Sequence, residues 1–186
     1  MEYKITLKKI FKHIHLVNKH RFLVFKLSIK AGIPFQGLMH DLSKYSPTEF
    51  FESIKYYSGD KSPIINAKRD KGYSEAWLHH KGRNKHHWEY WYDPTLNNPG
   101  IVMPLKYFKE LVCDNLAAGM AYQGNKWTKE YQLTYWNRIK EKSDMDNNIK
   151  LLLDKIYNDI AKHGINSVIK SKNLEKLYNQ YIKEEK

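Results

Sequence analysis

A single cysteine, Cys113, stands in the chain, which excludes an internal disulfide framework and suits a reducing compartment. It falls inside a helical apolar pattern and reads as a small core residue. No apolar run reaches the roughly 18–20 residues needed to cross a bilayer. The Lys-rich N-terminus has neither an apolar h-region nor a small-residue cleavage site, so a cytoplasmic protein without a membrane span or secretory signal is expected. Internal repeats, low-complexity tracts and Pro/Gly/Ser linkers are missing, and so is strand-like alternation. What remains is 186 residues, 41% hydrophobic and 28% charged, the profile of a folded soluble chain long enough to bury one core.

Acidic residues are scarce at one end. Residues 1–30 carry eight Lys/Arg against one acidic residue, whereas residues 143–186 carry eight Lys against seven. The formal net charge of +12 therefore belongs to the part that also holds the histidines. Such a field attracts anionic substrates, nucleotides or nucleic acid. A solvated Lys-rich surface accounts for the same charge equally well.

Helical periodicity covers nearly every segment, so the expected fold class is all-α. A first helix is predicted over residues 5–30, with an apolar stripe through Ile10, Ile14, Val17, Val24 and Leu27, ended by Gly32 and Pro34. A short segment over 35–44 follows. Ser46-Pro47-Thr48-Glu49 has the pattern of a capping box, opening a helix to about Tyr57. Residues 60–72 read as a polar loop with a short turn after Ser62-Pro63. Ser74 caps a helix to Lys81, and 83–92 add a turn or two. Further helices are expected over 104–122, 128–142, 144–162 and 173–183. Residues 1–142 read as one helical domain and 143–186 as a helical extension packed on it, with an oligomer contact as the alternative.

Eight of nine histidines lie in the first 87 residues: His13, His15 and His20; His40 beside Asp41; His79-His80; His86-His87. Imidazole and carboxylate together suit Fe, Mn, Co, Ni or Zn. The run Gly37-Leu-Met-His-Asp-Leu-Ser-Lys44 resembles the signature of the HD-domain superfamily, His-Asp-x-x-Lys, here His40, Asp41 and Lys44. The resemblance implies an HD-like helical bundle, with one or two divalent transition metal ions held by His40 and Asp41, and with Asp41 able to bridge two ions.

HD proteins take a first His from the preceding helix, which runs antiparallel. Taking Gly32 as the turn, His40 lies eight residues after it, His20 twelve before it and His13 nineteen before it. At ~1.5 Å rise per residue His20 is offset by ~6 Å and His13 by ~16 Å. His20 is therefore favoured. His13 flanks the site, and His15 points to the surface. The superfamily's last ligand is an Asp inside a later helix; Asp114 in Leu-Val-Cys-Asp-Asn-Leu-Ala-Ala-Gly fits, on a line with Leu111, Ala118 and Ala121. A charge there costs several kcal/mol unless paired or metal-bound. Dinuclear members add histidines in between, where His80 and His86 or His87 stand. Which member of each pair ligates, and which braces, stays open. Unlike the cyclic-dinucleotide phosphodiesterase type, this chain has no Gly-Tyr-Pro after the second pair. The stretch 13–91 is also similar to a bacterial and phage family of unknown function built around His-Asp-Leu-Ser-Lys-Tyr-Ser-Pro-Thr-Glu-Phe and His-His-Lys-Gly-Arg-Asn-Lys-His-His.

The function implied is a metal-dependent phosphohydrolase or phosphodiesterase acting on an anionic small molecule such as a nucleotide. Asp41 and Lys44 would be catalytic, and Lys44, Arg83, Asn84 and Lys85 would bind the substrate. Three rivals share some of these features. HD-like di-iron oxygenases use the same ligand pattern. An HNH-type nuclease needs a ββα unit around residues 79–87. A non-catalytic nucleic-acid binder would act through its basic first helix.

Overall fold

The structure is a computed structural model that describes residues 3–182. Those residues form ten α-helices and no strand. The first helix, α1 (Leu7–Ala31), is capped by Thr6, whose side chain accepts from Lys9 N, and ends where Gly32 turns left-handed at φ 77°. A side chain at Gly32 would also meet Ser171, with a Cβ 2.4 Å from its Oγ. The helix α2 (Pro34–Met39) then folds back along α1. Gly37 permits this closeness, because a Cβ there would lie 2.4 Å from the Ser28 Cβ and 3.2 Å from the Phe25 Cα.

The chain continues through a 3-10 turn (Leu42–Tyr45) into α3 (Pro47–Lys55), α4 (Pro63–Lys71) and α5 (Glu75–Lys81). Ser74 caps α5 through Trp77 N. A 3-10 turn (Trp88–Trp91) and a loop closed by the isolated bridge of Tyr92 with Gly100 lead to α6 (Leu105–Gln123). Three helices follow: α7 (Tyr131–Ile139), α8 (Asn147–His163) and the single turn α9 (Ile165–Val168). The last, α10 (Ser171–Tyr181), ends inside the described residues; the expected end at Lys183 lies outside them.

Residues 60–72 are not a loop. Their few apolar positions give too weak a period to read, and tertiary contacts hold α4 instead. Asn66 donates to Tyr56 O and Ser58 Oγ, Tyr56 Oη donates to Asp70, and Pro63 and Ala67 are buried. The capping box also fails. Ser46 makes no side-chain cap and its Oγ is buried without a partner, because Glu49 turns to the histidines.

The helix α6 is buried on most of its circumference, as a central helix must be. One hydrophobic cluster joins Val24, Leu27 and Ala31 of α1 to Phe108, Val112 and Leu116 of α6 and to Leu152, Leu153 and Ile156 of α8. It extends to Val168, Leu174 and Leu177. The pairing of α1 with α6, with α2 laid on α1, positions the residues described next.

Candidate metal centre

Five short pieces of chain converge. His20 comes from α1, His40 and Asp41 from the end of α2, His80 from α5, His86 and His87 from the loop after it, and Glu110 and Asp114 from α6. Glu110 and Asp114 are four apart, so one helix face presents both.

Asp41 has φ 55° and is the one non-glycine residue with positive φ among the described residues. That conformation costs a non-glycine residue on the order of 1 kcal/mol, least for Asp and Asn. Arg21 holds the turn: its Nε donates to His40 O at 2.8 Å and a terminal nitrogen donates to Leu38 O at 2.9 Å. Strain in the backbone and a guanidinium clamp thus fix the buried Asp41 carboxylate at the middle of the cluster.

Each Asp41 oxygen faces a different group. Oδ2 lies 3.2 Å from His40 Nε2 and 3.5 Å from His20 Nε2. Oδ1 lies 3.2 Å from His80 Nε2 and 3.5 Å from His86 Nε2. Asp114 Oδ1 lies 3.1 Å from His20 Nε2 and 3.5 Å from His40 Nε2, and its Oδ2 lies 3.8 Å from His86 Nε2. Two four-residue sets of donor atoms result, each within 4.8 Å: His20, His40, Asp41 and Asp114; and Asp41, His80, His86 and His87; a third, smaller set joins His40 and His86 to Glu110. Metal–ligand bonds of about 2.1 Å place neighbouring ligand atoms roughly 3.0–3.4 Å apart; the closest contacts, at 3.1 and 3.2 Å, fall in that range, and the rest, at 3.5 to 3.8 Å, lie just beyond it.

The outer ring nitrogens are braced. Glu110 Oε1 accepts from His40 Nδ1 at 3.0 Å and faces His86 Nδ1 at 3.1 Å. Glu49 accepts from His80 Nδ1 and His79 Nδ1, each at 2.7 Å. A protonated Nδ1 leaves the Nε2 lone pair aimed inward, the arrangement typical of metal-bound histidine. Positive charge at the centre, from a protonated imidazole or from a bound cation, balances the two carboxylates that the rings face. Neither Asp41 oxygen, nor His86 Nε2, nor His87 Nε2 completes a hydrogen bond, although all are buried. Burial opposes charge on Asp41, His40 and Glu110, and their neighbours outweigh it. Asp41 is held well below the usual carboxylate range by His40, Lys44 and His80. His40 is held well above its ordinary value by Asp41, Asp114 and Glu110. Despite burial, Glu110 is drawn down to about 2 by His40 and His86. Burial, with His86 and His80 beside it, keeps His87 neutral, as a ligand must be. The donor set and its unpaired atoms therefore fit divalent transition metal ions.

The sequence-predicted residues divide. His20 stands against His40, with their Nε2 atoms 3.3 Å apart, while His13 packs on Phe50 and Tyr57 outside the cluster. His15 is exposed. Lys44 reaches Asp41 Oδ2 at 2.5 Å and is partly exposed, so it borders the centre. Asn84 is a brace: it donates to Ser43 Oγ and to His80 O. Arg83 and Lys85, expected beside the substrate, are exposed and make their contacts outside the donor sets. Arg83 reaches His79 O, and Lys85 lies over the Tyr90 and Tyr107 rings.

Sequence reasoning missed Glu49, Glu110 and Arg21. Glu110 carried a signal, four residues before Asp114 on the same face. Glu49 carries the sequence pattern of a cap, and Arg21 is one of eight basic residues in the first thirty. The only β pairing among the described residues is the Tyr92–Gly100 bridge, so no ββα unit surrounds the histidine pairs there. No described helix is long and apolar enough to cross a membrane. A model of a family of unknown function (DUF5662) matches residues 9–159. No curated protein and no solved structure matches the chain.

Proposed function

The chain belongs to the DUF5662 family, whose function is unknown, and from its site we propose that it is a metal-dependent phosphohydrolase with an HD-like centre acting on a nucleotide or another phosphoester. The observation that carries this reading is Asp41, whose two buried oxygens each face a separate set of inward Nε2 atoms. His20, His40, Asp41 and Asp114 would hold one ion, and Asp41, His80, His86 and His87 a second. Divalent ions so held supply Lewis acidity toward a phosphoryl oxygen and lower the pKa of water.

The chain's own residues do the rest. Asp41 and Asp114 balance the positive charge of the centre. Lys44 stays cationic beside Asp41, because that carboxylate and Asp114 outweigh its burial. Its ammonium borders both the carboxylate and solvent, where it would meet a phosphate oxygen as a point charge. Glu49, Glu110 and Asn84 keep the imidazoles in one orientation, so substrate meets a preorganised site. The basic first third of the chain favours approach of an anion.

The test is metal content by mass spectrometry, on the purified protein and on Asp41→Ala, followed by a phosphoester panel under Mn²⁺, Fe²⁺, Co²⁺ or Ni²⁺. One to two equivalents of metal in the wild type, lost in the variant together with hydrolysis, are expected. A wild type that takes no metal even on reconstitution would falsify the reading. Oxygen uptake by the iron-loaded protein without hydrolysis would move the site to di-iron oxygenase chemistry.

A further inference from the structure

Glu110 differs from every other brace of the centre. A single oxygen, Oε1, lies 3.0 Å from His40 Nδ1 and 3.1 Å from His86 Nδ1. His40 belongs to the first donor set and His86 to the second. The other oxygen, Oε2, accepts from Gln36 Nε2 at 3.0 Å, which fixes the carboxylate's rotation. Glu110 itself is buried, and so are both imidazoles, whose ring centroids lie 4.4 Å apart. By contrast Glu49 braces only His80 at the centre; its second bond goes to His79, which belongs to neither set.

We propose that Glu110 is a positioning residue shared by the two half-sites, so that one carboxylate oxygen sets the orientation and Nδ1 protonation of one ligand of each metal ion. The proposal rests on the metal-centre reading above. Loading of either half fixes an imidazole on Glu110 Oε1 and with it the carboxylate that the other half also uses. The two half-sites would therefore share two carboxylates, Asp41 between them and Glu110 behind the imidazoles. Removing the negative charge of Glu110 weakens both halves. Removing that of Glu49 weakens only the half containing His80.

The experiment is a Co²⁺ titration of metal-free wild type, Glu110→Gln and Glu49→Gln, followed by calorimetry and by the visible absorption of the bound ion. The Gln variants keep size and shape, and circular dichroism checks that each is folded. The expected result is two Co²⁺ equivalents in the wild type. For Glu110→Gln both affinities should fall by about 10–100-fold, with both sets of absorption bands shifted. For Glu49→Gln one affinity should fall and the other hold. If Glu110→Gln leaves either ion at wild-type affinity and spectrum, the shared role is wrong. If the wild type binds no Co²⁺, the metal-centre reading itself has failed, a separate outcome seen before any variant is compared.

Discussion

His13 and His20 stand seven residues apart on α1 and meet opposite surroundings. His20 faces two carboxylates, whereas His13 lies between the Phe50 and Tyr57 rings with a buried, unpaired Nδ1. Burial first, and Lys44 second, lower the His13 pKa from 6.5 to about 4. The folded protein therefore keeps His13 neutral where the unfolded chain takes up a proton. Stability from this residue is complete above pH 6.5 and is lost as the pH falls toward 4. At 1.36 kcal/mol per pKa unit the loss is on the order of 3 kcal/mol. In His13→Leu this part of the acid sensitivity should vanish. Urea unfolding of both proteins between pH 4 and 8 measures it, and parallel curves would show that His13 does not contribute. Asp41 teaches a complementary lesson: the residue at the middle of the cluster is also the one held at positive φ, with Arg21 bracing its turn.

At the scale of elements, the pairing of α3 with α5 aims His80. Two acids three residues apart on α3 share the task. Glu49 takes the histidine ring nitrogens, and Glu52 takes the start of α5, accepting from Ser74 Oγ, Glu75 N and Ala76 N and pairing with Lys71. Burial works against the Glu52 charge, and these donors overcome it, holding its pKa below the ordinary value. Glu52→Ala removes an N-terminal anchor together with a largely buried ion pair, so a loss of about 1–3 kcal/mol is expected. Hydrogen exchange should speed up across residues 74–81 more than in α8. Uniform exchange in the variant would mean that Glu52 is not a local clamp. The same geometry explains the misread capping box, since the sequence pattern is that of a cap while the side chain is recruited by a helix some thirty residues away.

For the whole molecule, the helices after residue 142 belong to the main core. Leu152, Leu153, Ile156 and Ile160 are fully buried in the cluster that also holds Val24 and Leu116. Leu153→Ala should cost about 2–5 kcal/mol, seen as a fall in Tm of roughly 5–15 °C. A fall below 2 °C would mean that α8 packs loosely. The sequence by itself determined the helical class, most helix positions and the histidines and aspartates that gather at the centre, because period, caps and the His-Asp signature are local properties of the chain. The choice of His20 over His13 was also readable, since rise per residue and one turn fix their heights. Only the tertiary structure decided that α4 is a helix, that Arg83 and Lys85 face outward, and that Glu49 and Glu110 stand behind the histidines. Those outcomes depend on which side chains meet across helices distant in sequence, and no local period records such a meeting.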